Sequence, residues 1–219
     1  MEKQNAAALA AQLACPSGND AIQTGQQMQQ TNGNMISHTI RSMNITTGDT
    51  ILEIGPGNGT HVAELLNKAD HIAYKGIDTS ESMVQQAKAL SFSNTHNNTV
   101  SFDLTNGRTL DFPNEHFDHI FSINTLYFWA MPLDFCREVL RVMKRNGCFT
   151  LSFVDKASMM QLPFVQYGFR LYDTGEALSL LVAAGFRIHH HSLHTEKTTS
   201  NAGTVVSRDF HIIAAIKAE

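Results

Sequence analysis

Three glycines stand at alternate positions in the segment ILEIGPGNGT, which covers residues 51–60. Gly55, Gly57 and Gly59 follow a short apolar run and precede a helix-like pattern, and glycines at such a place let a ligand approach the backbone closely. Their GxGxG spacing differs from the GxGxxG dinucleotide fingerprint, and no Lys-Ser or Lys-Thr pair follows as in a Walker loop. Glu53 lies two residues before Gly55 and would repel a pyrophosphate, so the segment favours a ligand that carries positive charge.

Two further acids follow at the ends of later β-type segments. Asp78 closes the segment HIAYKGID, 19 residues after Gly59, near the separation of about 20 at which an acid binds ribose hydroxyls. Asp103 closes the segment TVSFD, where a carboxylate could meet an adenine amino group. Alone, the glycines could form only a tight turn, and Asp78 could simply cap the next helix. On successive strand ends, these residues together predict a nucleoside pocket without a phosphate site.

Three segments carry a family resemblance: ILEIGPGNG, GIDTSESMVQQA and FDLTNGRTLDFPNEHFDHIFSINTLYFW. They resemble class I S-adenosylmethionine-dependent methyltransferases and are similar to the small-molecule branch with ubiquinone- and menaquinone-type C-methyltransferases. The resemblance covers roughly residues 49–155 and extends more loosely beyond them. It implies S-adenosyl-L-methionine as the cofactor and S-adenosyl-L-homocysteine as the product, and it leaves the acceptor open.

The same resemblance implies roles for matching positions. The loop 55–57 is expected to pass under the methionine moiety, with Glu53 supporting that region. Asp78 is expected to bind the ribose diol, and the carbonyl of Asn124 the methionine ammonium. The full set of expected cofactor residues is Glu53, Gly55, Pro56, Gly57, Asn58, Asp78, Thr79, Met83, Asp103, Leu104 and Asn124.

The adenine is expected to lie between Thr79 and Met83. Asp103 and the backbone of Leu104 are expected to contact its edge. The roles of Thr79, Met83 and Leu104 are implied by the resemblance alone, whereas that of Asp103 also follows from its place at a strand end.

The acceptor side is less marked in the sequence. Methyl transfer from a sulfonium needs alignment and exclusion of water, so no conspicuous catalytic residue is required, and none stands out. The aromatic stretch TLYFW, ending at Trp129, could pack an acceptor or shield the sulfonium, or could simply belong to the core. Residues 17–40 are expected to close over the acceptor as a lid, with ordinary helix packing as the alternative. The expected acceptor-pocket residues are Met28, Asn32, Tyr127 and Trp129.

These residues must be positioned by an α/β fold, because β-type segments alternate with helical ones from residue 50 onward. The sequence predicts a Rossmann-like, seven-stranded, mostly parallel sheet with helices on both faces. The last strand is expected to run antiparallel, because no helix separates the two final β segments. N-terminal helices, broken at residues 16–18, precede this core. The predicted division is a helical extension or lid over 1–45 and a cofactor-binding domain over 46–219.

Charge and composition narrow the partners. The formal net charge is −4, so nucleic acid is an unlikely partner and a small-molecule acceptor is favoured. The segment after Asn124 also lacks the two prolines of the Asn/Asp-Pro-Pro-Tyr/Phe motif that base-methylating enzymes often carry. No apolar run is long enough for a membrane span. A methyltransferase acting on RNA or protein, and a non-catalytic cofactor-binding module, remain the alternatives, and the oligomeric state is left open.

Cysteines and histidines complete the inventory of reactive side chains. The three cysteines form no CxxC pair, so neither a disulfide framework nor a zinc site is expected, which fits a reducing cytoplasm. The run HHH at residues 189–191, with His211, could be read as a metal site, but no cysteine or paired carboxylate accompanies it. A solvated edge strand without metal is the favoured interpretation.

Overall fold

A computed structural model describes residues 3–92 and 97–218, and its centre is one sheet. The seven strands are β1 Thr50–Ile54, β2 Ala73–Asp78, β3 Thr99–Leu104, β4 Phe117–Ile123, β5 Met143–Val154, β6 Phe186–Thr199 and β7 Val205–Lys217. They lie in the order β3-β2-β1-β4-β5-β7-β6. The first five strands in this order, β3, β2, β1, β4 and β5, run parallel to one another. Strand β7 is antiparallel to both β5 and β6. The predicted seven-stranded sheet with an antiparallel last strand is confirmed.

Helices surround this sheet and connect its parallel strands. They are α1 Lys3–Ala14, α2 Ala21–Ser42, α3 Val62–Leu66, α4 Glu81–Lys88, α5 Pro132–Val142, α6 Lys156–Met159 and α7 Thr174–Ala184. A 3-10 turn at Gly18–Asp20 separates α1 from α2, as the Pro-Ser-Gly break predicts. No helix within residues 3–92 and 97–218 is long and apolar enough to cross a membrane.

Local capping fixes where the helices begin. The Ser80 hydroxyl accepts a hydrogen bond from the backbone N–H of Met83 at the start of α4. Asp173 and Glu176 form a reciprocal capping box at the start of α7. Gly185 ends α7 in the left-handed conformation, which glycine adopts without strain. These starts agree with the sequence, because each depends on residues within one helical turn.

The two N-terminal helices pack in different places. Met35 and Ile40 of α2 belong to the main core, which also contains the buried faces of the strands. Ala6 and Ala10 of α1 instead form a small separate cluster with Phe164. The C-terminal half of α2 is therefore part of the core, whereas α1 lies on the segment after α6. The division of the chain at residue 45 stays a prediction.

Strands β6 and β7 form a hairpin that extends past the carboxyl end of β5. Val154, the last residue of β5, pairs with Phe210, so residues 205–209 of β7 lie beyond it. This projecting end meets α2, where Asn34 Nδ2 donates a hydrogen bond to Glu196. The hairpin and α2 therefore meet at the edge of the sheet where the parallel strands end.

The histidines of this hairpin do not follow a plain alternation. A register shift between Ile188 and His190 interrupts the regular alternation of side chains between the two faces of β6. His191 Nε2 lies 3.0 Å from His211 Nδ1, and His211 Nε2 lies 3.1 Å from a carboxylate oxygen of Asp155. In the described part of the chain, no group of three or more His, Cys, Asp or Glu side chains is arranged to hold a metal ion.

Candidate functional site

A cavity of about 320 Å³ lies at the carboxyl ends of β1, β2 and β4. This volume falls in the range of small-molecule pockets, which span roughly 300–1,000 Å³. The cavity is walled by the glycine loop, by the start of α4 and by the N-terminal helices. Nine of the eleven expected cofactor residues line it: Glu53, Gly55, Pro56, Gly57, Asn58, Asp78, Thr79, Met83 and Asn124.

The glycine loop takes a backbone course that other residues would resist. Gly55, Gly57 and Gly59 all have positive φ, at 78°, 57° and 71°. A Cβ atom on Gly55 would lie 2.3 Å from Cγ2 of Thr125, whereas a Cβ atom on Gly57 would meet nothing within 4 Å. The absence of a Cβ atom at Gly55 therefore lets the loop backbone pack closely against Thr125. The space beside Gly57 is open.

Asp78 holds the loop from the end of β2. One carboxylate oxygen accepts the backbone N–H of Gly57 at 3.0 Å, and the other accepts that of Ser80 at 2.9 Å. Burial, together with the nearby Glu53 carboxylate, raises the pKa of Asp78 to about 6, although these backbone hydrogen bonds oppose the rise. The side chain thus presents a poorly hydrated carboxylate to the cavity.

Glu53 is buried, and both of its carboxylate oxygens have partners. Each oxygen lies 2.9 Å from Nε2 of His61, and the Tyr74 hydroxyl donates a short hydrogen bond to Oε2. Burial lowers the pKa of His61, but the facing Glu53 carboxylate outweighs that effect and leaves it raised. Burial and the same carboxylate raise the pKa of Tyr74. The Glu53 carboxylate is therefore hydrogen-bonded to His61 and Tyr74 and is not free to bind a ligand with both oxygens.

No motif or spacing in the sequence predicts that Glu53, His61 and Tyr74 contact one another. His61 lies in the turn before α3 and reads as one of several structural histidines. Tyr74 lies inside β2, where an aromatic residue is usual. The available signal was the buried carboxylate of Glu53 itself, since a buried charge requires partners.

Asp103 and Leu104 are the two expected residues that the structure does not bring to the cavity. The Asp103 carboxylate forms ion pairs with Lys75 and Lys88, and the Leu104 side chain is 58% exposed. Strand β3 is an edge of the sheet, and four of its six residues, including Asp103 and Leu104, are exposed, whereas Phe102 is buried. The next residues, Thr105 and Gly107, line the cavity where adenine contacts were expected.

Asn124 connects the end of β4 to helix α2. Its φ is 59°, a left-handed conformation that asparagine tolerates better than most residues. Its Oδ1 accepts the Tyr127 hydroxyl at 2.9 Å, and its Nδ2 donates to Oδ1 of Asn32 at 3.0 Å. The strand end is thereby tied to α2 through side-chain amides.

The aromatic stretch after Asn124 divides between cavity and core. Trp129 lines the cavity and donates its indole N–H to Oγ1 of Thr125 at 3.1 Å. Phe128 also lines the cavity, and both residues pack on the main core, so the two interpretations of this stretch are compatible. Tyr127 is buried away from this cavity, and burial raises the pKa of its hydroxyl.

A second chamber of about 60 Å³ adjoins the first. The two share five lining residues: Leu13, Met28, Asn32, Asn124 and Phe128. Three of the four expected acceptor residues, Met28, Asn32 and Tyr127, line this chamber, and Trp129 lines the first cavity instead. The chamber is lined by α1, α2, the segment after α6 and the projecting β6–β7 hairpin.

Comparison with known proteins addresses the family. A model described as a methyltransferase domain matches residues 52–151. The chain is 27% identical over 123 residues to the uncharacterized methyltransferase YdaC of Bacillus subtilis (strain 168), covering 56% of this chain and 66% of that protein. These matches support a class I S-adenosylmethionine-dependent methyltransferase, and residues 52–151 are the part of the chain that resembles the methyltransferase domain.

Two other similar proteins extend the comparison. The chain is 25% identical over 107 residues to the 27-O-demethylrifamycin SV methyltransferase of Amycolatopsis mediterranei (strain S699), covering 49% of this chain and 39% of that protein. It thus spans less than two thirds of that protein and of YdaC. One chain of a Haloferax volcanii complex containing the Trm112 methyltransferase activator aligns with a TM-score of 0.75 and 16% identity, over 89% of this chain and 93% of that one. That likeness shows the fold alone.

The methyltransferase-domain match covers most of the first cavity but little of the second chamber. Residues 52–151 contain the glycine loop, Asp78 and Asn124, which line the first cavity. The second chamber is lined mostly by elements outside the match, namely α1, α2, the segment after α6 and the β6–β7 hairpin. The match therefore helps to interpret the first cavity, whereas the second chamber has to be interpreted from its own residues.

Proposed function

We propose that this protein transfers a methyl group from S-adenosyl-L-methionine to a small-molecule acceptor. The observation that carries the proposal is the small chamber of about 60 Å³ that adjoins the first cavity beneath the N-terminal helices. A chamber of this size, lined mainly by apolar and uncharged polar side chains, suits a small molecule. The net charge of −4 also disfavours a polyanionic acceptor such as RNA.

The residues of the first cavity fit the proposed cofactor. Asp78 offers a buried carboxylate to ribose hydroxyls, and Thr79 and Met83 line the cavity beside it. The open space beside Gly57 gives a bulky ligand access to the loop backbone. No basic cluster for a pyrophosphate lines the cavity, in keeping with a nucleoside that carries no phosphate. In this proposal Asp103 pairs with lysines, and Thr105 and Gly107 take its place near the adenine.

S-adenosyl-L-methionine supplies a methyl group bound to a sulfonium, which is already a good leaving group. The chain's own contribution is then to hold the donor and acceptor in line and to exclude water. Asn124 and Phe128 are suited to this, since both line the two spaces and stand where they join. His61 is occupied by Glu53, so it is not proposed as a general base.

The acceptor class is supported by one relative. The Amycolatopsis protein is named for a small organic acceptor, 27-O-demethylrifamycin SV. We extend from it only the small-molecule class and not that particular acceptor.

The proposal is tested with S-adenosyl-L-methionine labelled in its methyl group. The full-length protein is incubated with cell extract separated into metabolites, RNA and protein, and the label is followed into each fraction. Label in the metabolite fraction, abolished by Asp78→Ala, is the expected result. Label in RNA or protein would replace the small-molecule acceptor with a macromolecule. Label that stays on the cofactor in every fraction would favour a binding module without catalysis.

A further inference from the structure

The second chamber has a single charged side chain among the described residues that line it. That residue is Arg208, in the part of β7 that projects beyond β5. Its side chain is 9% exposed, and the rest of the chamber wall is apolar, aromatic or uncharged polar. A charged group that is buried in an apolar wall normally has a positioning or recognition role, because burial without compensation is costly.

Most of the donors of Arg208 are already engaged. Its Nε donates to Oε1 of Glu196 at 2.8 Å, and its Nη2 lies 2.7 Å from the same oxygen. Nη2 also donates to the backbone carbonyl of Thr31 at 2.8 Å and to Oδ1 of Asn32 at 3.3 Å. Nη1 donates no hydrogen bond to any residue in the described part of the chain. A guanidinium carries five N–H donors in a fixed plane, so this last edge is the one left for a ligand.

The charge of Arg208 is already balanced. Glu196 is buried beside it, and the second oxygen of Glu196 accepts a hydrogen bond from Asn34 at 2.6 Å. A carboxylate placed in the chamber would leave a net negative charge there without a further cation on the wall. An ammonium would face a guanidinium and find no free anion. A neutral oxygen, by contrast, can accept from Nη1 without changing the net charge.

We infer that the acceptor is a neutral, largely apolar molecule that presents one hydroxyl or carbonyl oxygen to Nη1 of Arg208. This inference rests on the proposed function, because it assigns the second chamber to the acceptor. Arg208 would position the acceptor through this hydrogen bond, while Met28 and Phe128 contact its apolar body. Arg208 also donates hydrogen bonds to Thr31 and Asn32, so it is fixed against the helix that lines the chamber.

The test uses four matched probes that differ in one group: fluorobenzene, 4-fluorophenol, 4-fluorobenzoate and 4-fluorobenzylamine. Each is titrated by fluorine NMR into the full-length protein saturated with S-adenosyl-L-homocysteine at pH 7.5. We expect 4-fluorophenol to bind about tenfold more tightly than the other three, the effect of one hydrogen bond to a charged donor. Strongest binding of the benzoate or the benzylamine, or no binding of any probe, would overturn the inference.

Two variants separate recognition from folding. Arg208→Met should remove the preference for 4-fluorophenol over fluorobenzene. Because this change also loosens α2, a second variant, Glu196→Gln, keeps the guanidinium and removes only its counter-charge. In Glu196→Gln the preference should move toward 4-fluorobenzoate by about tenfold, since the arginine charge is then unbalanced. An unchanged order of the probes in Glu196→Gln would also contradict the inference.

Calorimetry of S-adenosyl-L-homocysteine with each protein distinguishes the two levels of the proposal. If the wild type does not bind this ligand, the proposed function fails. If it binds the ligand but ranks the probes in another order, the acceptor inference alone fails.

Discussion

Gly55 and Gly57 have similar backbone conformations but different surroundings. Gly55→Ala places a methyl group 2.3 Å from Thr125 Cγ2 and forces alanine to φ 78°. We expect a loss of about 2–5 kcal/mol in the free energy of unfolding, from left-handed strain and overpacking together. Gly57→Ala is the matched control, because its Cβ meets nothing within 4 Å. Gly57→Ala should lower the free energy of unfolding by the cost of left-handed strain alone, about 1–2 kcal/mol. Urea denaturation measures both, and equal losses would contradict the packing argument.

The raised pKa of Asp78 predicts that cofactor affinity depends on pH. In the proposed cofactor site the carboxylate form would accept hydrogen bonds from ribose hydroxyls, and it loses its charge as the pH falls through about 6. At pH 5 only about one tenth of the unliganded protein keeps this charge, so affinity for S-adenosyl-L-homocysteine should be about tenfold weaker than at pH 7. The fluorescence of Trp129, which lines the cavity and is the chain's only tryptophan, provides the titration signal.

Two variants of Asp78 control this measurement. Asp78→Ala should lose about 1–3 kcal/mol of binding free energy at pH 7, since polar groups of the ligand are left unpaired. Asp78→Asn should bind weakly with little dependence on pH between 5 and 7. A wild-type affinity that stays flat over this range would show that Asp78 does not control binding.

At the scale of elements, α1 and α2 differ in how they are attached. α2 shares the main core, so removing residues 17–40 would test folding as much as a lid. α1 is held by its own small cluster with Phe164, and its last residues line the cavity. α1 is therefore the part of the extension whose role as a lid can be tested while the sheet stays intact.

Ala10→Asp is the substitution that should undock α1. Ala10 is 2% exposed in the cluster with Phe164, so an aspartate there would bury an unpaired charge. We expect S-adenosyl-L-homocysteine to dissociate about tenfold faster, equivalent to about 1.4 kcal/mol, with little change in the unfolding midpoint of the ligand-free protein. Ala11→Asp is the control, because Ala11 is exposed on the same helix. Stopped-flow displacement measures the rates, and equal rates in both variants would argue against a lid.

At the scale of the whole molecule, the proposed ligand should stabilise the fold. A ligand at a hundredfold excess over its Kd adds about 2.7 kcal/mol to the free energy of unfolding. For a chain of 219 residues this predicts a rise in Tm of about 5–10 °C with S-adenosyl-L-homocysteine. NAD⁺ at the same concentration is the control, because the loop lacks the dinucleotide spacing. A larger rise with NAD⁺ would contradict the assignment of the cavity.

The sequence by itself determined the order of elements and much of the first cavity. The glycine loop, the acid at residue 78 and the Ser80 cap depend on neighbours within a few residues or on successive strand ends. Parallel strands bring their carboxyl ends to one edge, so this information is nearly local. Strand order along the chain was not enough to place Asp103. Only the order of strands in the sheet shows that β3 is an edge strand, where Asp103 forms an ion pair with Lys75.

Tertiary structure alone decided the long-range contacts around both cavities. Glu53 meets Tyr74 across 21 residues, and Arg208 meets Thr31 across 177. No periodicity or motif encodes such pairs, because they arise when distant elements pack and buried charges must find partners. The glycine loop therefore indicated a nucleoside site from the sequence, whereas the chamber beside it exists only once α1, α2 and the β6–β7 hairpin have folded over the sheet.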